Sequence, residues 1–232
     1  MRAMENETSE RGGPAARGHW DKTYQAREEQ ALTWFQETPQ PALDLIASRV
    51  APGAAILDAG GGASRLVDAL LARGLGPVTV LDLSSEALAA ARARLGPAAA
   101  GVTWIAADIT RWTPPQRFAL WHDRAVFHFL TDAADRAAYL HRMAAALPAG
   151  ASAILSTFAD DGPARCSGLE VSRYAPQTLA AEVARHAPGA FRPEEAFRHD
   201  HVTPKGAVQA FQTSVFARTE APAPVAGLTP RG

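Results

Sequence analysis

At 232 residues with 47% hydrophobic content, the chain can bury a full core, and one domain is expected rather than two. A net charge of -1 leaves no cationic surplus, which argues against nucleic acid or an anionic membrane surface as the main partner. No apolar run approaches the ~18 residues of a membrane span; Met1 to Glu7 is polar without a signal core, and the single cysteine, Cys166, forbids an internal disulfide, so a cytoplasmic protein is expected.

Residues 1–16 are rich in Glu, Gly, Arg and Ser without apolar period and are expected to be disordered. His19-Trp20-Asp21-Lys22-Thr23-Tyr24, Trp34-Phe35 and an amphipathic stretch from Pro41 to Val50 follow. The aromatics there, Trp20, Tyr24 and Trp34, suit either a ligand cover or ordinary packing of helix on sheet.

The centre of the sequence is Ala55-Ile-Leu-Asp58-Ala-Gly60-Gly-Gly62-Ala-Ser64, followed by apolar residues at helical spacing. It reads as a buried strand feeding a helix through a glycine turn, where a ligand can lie against the backbone and unpaired N–H groups. Asp58 would repel a pyrophosphate but suits an ammonium group or its bound water. A dinucleotide fingerprint starting at Gly60 would need glycine where Arg65 stands, which counts against a nicotinamide oxidoreductase. A second apolar run ends in Asp82, 24 residues after Asp58, where a carboxylate accepts ribose hydroxyls. A third, from Val102, ends at Asp108-Ile109. Parallel strands ending this way would line up three carboxylates on the carboxyl edge of one sheet.

These motifs, with Asp123 after a fourth strand at 118–121, resemble the class I S-adenosylmethionine-dependent methyltransferases over roughly residues 16 to 219. The resemblance implies an α/β fold, a Rossmann-like sheet of seven mostly parallel strands ending in an antiparallel hairpin. It implies one domain over 17–219, with a helical lid over 17–52 carrying Trp20, Tyr24 and Trp34, a core over 53–219, and a loose tail from 220. S-adenosylmethionine is then the cofactor: Asp58, Gly60 and Gly62 line its methionine moiety, Asp82 with Leu83 holds its ribose, Asp108 and Ile109 its adenine. Asp123 holds the methionine end or orients a neighbour. Ser64 stands where many members have a third glycine.

The segment His122-Asp123-Arg124-Ala125-Val126-Phe127-His128-Phe129 leaves the sheet edge where the methyl acceptor should sit. It is similar to the equivalent segment of thiopurine S-methyltransferases and, more loosely, of elongation-factor lysine methyltransferases; the Asn-Pro-Pro-aromatic signature of DNA and glutamine enzymes is missing. His128 is the candidate to deprotonate or bind the acceptor and Arg124 the candidate to attract an anionic one, with Asp123 beside them. The competing reading makes His128 a hydrogen-bonded core residue. A small-molecule acceptor is expected, which the thiopurine likeness tilts towards a thiol or other soft nucleophile, and a monomer, with protein lysine, a nicotinamide oxidoreductase and a silent cofactor binder as alternatives.

Elsewhere the expectations are plain. Arg92 and Arg94 should be solvated, Trp112 should cover the sheet edge or stack on adenine, and His141 should lie on the surface. A fifth strand at 151–158 precedes a Gly/Pro-bearing loop at 160–169 that can wall the acceptor pocket, then a helix from Pro176 and closing strands at about 191–202 and 207–218. His199 and His201 share a strand face but lack a third metal ligand, and Cys166 is taken as inert rather than as a site for a soft acceptor.

Overall fold

The computed structural model describes residues 14–220. Their sheet has seven strands in the order β3-β2-β1-β4-β5-β9-β8. The parallel members are β1 (Ile56–Ala59), β2 (Val78–Asp82), β3 (Val102–Ala106), β4 (Leu120–Arg124) and β5 (Ser152–Phe158); β8 (Phe191–Val202) and β9 (Val208–Arg218) close it antiparallel. This is the expected architecture. An additional short hairpin, β6 (Arg165–Cys166) with β7 (Leu169–Glu170), forms inside the loop after β5.

Continuous apolar runs make β1 and β2 fully buried, because helices cover both faces of the sheet. Alternate residues go to opposite sides. On one, Ile56, Val80 and Ile154 pack with Leu43 and Ile46 of α2 (Ala42–Ala47), Leu66 and Leu70 of α3 (Leu66–Ala72), and Leu88 of α4 (Ser85–Leu95). On the other, Leu57, Trp121 and Leu155 pack with Leu140 and Met143 of α5 (Ala133–Ala146) and with Leu179 and Val183 of α6 (Pro176–His186).

The N-terminal helix α1 (Pro14–Gln25) begins inside the stretch expected to be disordered, while residues 1–13 and the tail from 221 lie outside the described residues. It is tied to the carboxyl edge through Asp21, which accepts from Ser84 Oγ at 2.6 Å. Ser84 is itself the N-cap of α4, accepting from the Ala87 N–H, so one hydroxyl serves helix start and cover together. Among the described residues no helix is long and apolar enough to cross a membrane.

Strand β4 runs three residues further than expected and contains Asp123 and Arg124, since β5 continues the ladder opposite them. The chain then turns at Ala125, whose φ of 69° lies in the left-handed region.

Candidate active site

The carboxyl ends of β1, β2, β3 and β4 open onto a cavity of about 680 Å³, roofed by α1 and walled by the β6–β7 hairpin. The walls meet across the top, with His19 Nε2 3.4 Å from Ser167 Oγ. A smaller cavity of about 50 Å³ adjoins it, and Tyr24, Trp34, Gly60 and Arg124 border both.

One end of the large cavity is lined by acids. Asp82 Oδ1 accepts from the Ser84 N–H at 2.8 Å, and burial, with the nearby Asp58 charge, pushes its carboxyl up to about 7. Asp108 Oδ1 accepts from both the N–H and the hydroxyl of Thr110, at 2.9 and 2.7 Å. Its Oδ2 is buried without a hydrogen-bond partner, its nearest cation the exposed Arg111 at 3.7 Å. An orphaned carboxylate oxygen on a residue that lines a cavity is what a donor such as an exocyclic amine would satisfy. Leu83 and Ile109 line the same end.

The glycine corner lies between the two cavities. Gly62 has φ of 50°, and a Cβ built on it would come within 2.7 Å of the Tyr24 hydroxyl and 3.1 Å of Asp82 Oδ2, so the position is a cradle that a side chain would fill. Asp58 borders the small cavity, and its Oδ1 lies 2.7 Å from His122 Nδ1, a buried pairing across 64 residues of sequence. The corner is also gripped from below. Arg94 donates to the carbonyls of Ala63 and Ser64 and forms ion pairs with Glu29 and Asp68 at 2.6 Å each, which corrects the expectation of a solvated arginine.

The other end is aromatic and basic. Trp20 meets Phe129 edge to face at 5.1 Å and Trp34 at 5.8 Å, and all three line cavity walls, beside His19, Arg124 and Cys166. Burial pushes the Cys166 thiol up to about 11 in spite of the nearby Arg124, so it stands protonated.

Three candidates lie outside the lining: Gly62, His128 and Asp123. His128 is fully buried; its Nδ1 accepts from the Phe158 N–H at 3.3 Å, its ring packs on Phe158 and Phe129, and burial pushes it down to about 3. The structure therefore places it in the core, neutral, and the histidine that lines the cavity is His19. Asp123 is likewise enclosed: it accepts from the N–H groups of Val126 and Phe127 and from the Tyr139 hydroxyl, capping the turn after β4. Sequence spacing on α1 held part of the signal, because Ala16, Trp20 and Tyr24 lie four apart on the cavity-facing side and His19, three residues after Ala16, falls beside them.

Other expectations resolve simply. Trp112 packs against Phe118 and Trp121, and His141 is exposed. His201 bonds the Thr33 carbonyl at 2.7 Å while His199 stacks on Phe211, and no group of potential metal ligands forms among the described residues.

Residues 56–150 match the family model described as a methyltransferase domain. This stretch is a methyltransferase domain. Enzymes of this class draw the transferred methyl from S-adenosylmethionine, and the nicotinamide reading falls with that match.

The methyltransferase fold extends beyond the matched stretch. The 1,6-didemethyltoxoflavin-N1-methyltransferase of Burkholderia thailandensis, solved with its substrate and S-adenosylhomocysteine, is similar at 23% identity and a TM-score of 0.70, over 95% of this chain and 94% of that one. An enzyme from echinomycin biosynthesis, described for conversion of a disulfide bond into a thioacetal group, is 22% identical with a TM-score of 0.69, covering 88% and 93%. The N-methyltransferase NodS of Bradyrhizobium japonicum is 16% identical with a TM-score of 0.64, covering 86% and 98%. At these identities the likeness speaks for the fold. No curated protein matches the sequence.

Proposed function

We propose that this methyltransferase moves a methyl group from S-adenosylmethionine to a nucleophilic atom of a small molecule inside the large cavity. The observation that carries the reading is the division of that cavity into an acidic end, with Asp82 and the orphaned Asp108 oxygen, and an aromatic end. In this assignment Asp82 and Leu83 border the ribose, Asp108 and Ile109 the adenine, and Asp58, Gly60 and Gly62 the methionine moiety. Residues 17–52 act as the lid and 53–219 as the core of one domain.

When bound, the cofactor supplies an electrophilic methyl on a sulfonium. The chain's own work is to desolvate and align the acceptor, which the Trp20, Trp34 and Phe129 walls favour. His19 faces that end and is the group that would take a proton from an N–H or O–H acceptor.

A small acceptor is favoured over protein lysine because α1 and the hairpin cover the edge that a bulky substrate would need open and acidic. Arg124 and Arg165 in the lining add to that argument. The neighbours act on small molecules too, one on a toxoflavin precursor nitrogen and one on a disulfide. The free, buried Cys166 accords with a reducing, cytoplasmic setting.

Calorimetry with S-adenosylhomocysteine and NAD, followed by product release from S-adenosylmethionine with small N, O and S nucleophiles and a lysine peptide, tests the reading. Binding of the homocysteine product alone and turnover on a small acceptor are expected. Turnover confined to the peptide, or no affinity for the product, would overturn it.

A further inference from the structure

The aromatic end of the cavity holds a cation without a counter-ion. The Arg124 guanidinium lies 5.0 Å from the Phe211 ring centroid, and its Nη1 donates to the Trp34 carbonyl at 3.0 Å. Its Nη2 is buried with no hydrogen-bond partner, and among the described residues no carboxylate lies within 4.0 Å of it. Burial pushes the guanidinium down to about 10, which leaves it charged at neutral pH.

A cation taken out of water without a partner is destabilising, and an anion arriving with a ligand relieves that cost. Direction decides which ligand. Phe211 belongs to β9, two strands beyond β4 on the side away from β1, and Cys166 is the titratable group whose charge the guanidinium feels, so the stacked guanidinium lies on the β9 and hairpin side of β4 even though Arg124 also borders the small cavity. The walls beside it, Trp20, Trp34 and Phe129, present edges and faces that accept a flat ring.

We infer that Arg124, which lines the cavity, recognises the acceptor: a small turn of its guanidinium off Phe211 brings the unpartnered Nη2 to an acidic oxygen carried by a flat aromatic or heteroaromatic molecule seated among Trp20, Trp34 and Phe129. The inference rests on reading this cavity as a methyltransferase site, but the anion site itself can be measured without turnover. A guanidinium and a carboxylate or enolate oxygen make a charge-assisted bond of short, directional geometry. A neutral acceptor of the same shape would leave the cation unpaired.

The probes are 1-naphthoate and its uncharged isostere 1-naphthamide, titrated into the full chain with and without saturating S-adenosylhomocysteine, following tryptophan fluorescence and heat. Wild-type protein should bind the naphthoate about tenfold tighter or more, the scale of one hydrogen bond to a charged group. Arg124→Gln should erase that preference and leave affinity for S-adenosylhomocysteine unchanged. Equal binding of the two probes by wild-type protein overturns the inference and depends on no variant. A variant that keeps the preference but loses S-adenosylhomocysteine overturns it as well, because the guanidinium then serves the cofactor's carboxylate. Failure of wild-type protein to bind S-adenosylhomocysteine would instead strike the methyltransferase reading, and the naphthoate preference measured alone would still decide the anion site.

Discussion

Gly60 and Val126 meet where no side chain could stand between them: a Cβ built on Gly60 would lie 1.9 Å from Val126 Cγ2. The turn after β1 and the turn after β4 are thus pressed together at the junction of the two cavities, with Gly60 at φ 71°. Gly60→Ala should lose measurable S-adenosylhomocysteine affinity and melt at lower temperature, for two separable reasons. Adding Val126→Ala removes the clash but leaves the left-handed backbone, which costs about 1–2 kcal/mol for a residue with Cβ. The double variant should recover part of the stability in thermal melts; recovery of none would show that the contact is not what excludes a side chain at Gly60.

With Asp82 as the proposed ribose ligand, cofactor affinity should depend on pH. Its carboxyl is pushed up to about 7, so the folded chain without ligand binds a proton there between roughly pH 4 and 7 that the unfolded chain has released. Stability from this group is therefore fully present at acid pH and is lost as pH rises through about 7. Ribose hydroxyls donate to the ionised form, so the sign for binding is opposite. S-adenosylhomocysteine affinity should rise from pH 5.5 towards 8, with proton release visible as a dependence of calorimetric heat on buffer ionisation enthalpy. A flat profile would count against Asp82 as the ribose ligand, as would unchanged affinity in Asp82→Ala.

Arg94 holds the glycine corner by its carbonyls, so its loss should loosen the turn rather than remove a ligand contact. Arg94→Ala breaks bonds to Ala63 and Ser64, removes the ion pair of Asp68 and leaves Glu29 with Arg65 alone. A fall in stability of about 1–3 kcal/mol is expected in urea melts, the range for charge-assisted bonds in a partly buried setting. S-adenosylhomocysteine should bind more weakly in the folded fraction. Arg92→Ala, two residues earlier on the opposite and exposed side of α4, is the control and should change neither quantity.

Much of this was legible in residue order. Apolar runs ending in Asp58, Asp82 and Asp108 mark strands whose ends share one edge, and the alternation from Val208 to Phe216 marks β9, because burial on both faces or on one leaves different periods. Long-range pairings were not legible: Asp58 with His122, or Arg94 with a carbonyl 31 residues earlier, depends on how strands neighbour in space. For His128 the sequence left a core residue and an acceptor ligand both open, and a local turn decides for the core: after Ala125, in a left-handed conformation, Phe127 and His128 go into the core while Val126 and Phe129 face the cavity.

That turn separates two histidines by experiment. His19 lines the cavity opposite the hairpin, whereas His128 bonds the Phe158 N–H inside the core. His19→Ala should lower the rate of methyl transfer to an N–H or O–H acceptor by about 10²-fold or more, within the range for a positioned acid or base, while melting temperature and S-adenosylhomocysteine affinity stay near wild type. His128→Ala opens a void beside Phe158 and orphans a buried N–H, which costs about 1–3 kcal/mol for the lost acceptor alone. Its thermal midpoint should fall, yet the rate per folded molecule, normalised to bound S-adenosylhomocysteine, should hold. If the folded His128→Ala protein loses transfer and His19→Ala keeps it, the roles assigned to the two side chains must be exchanged.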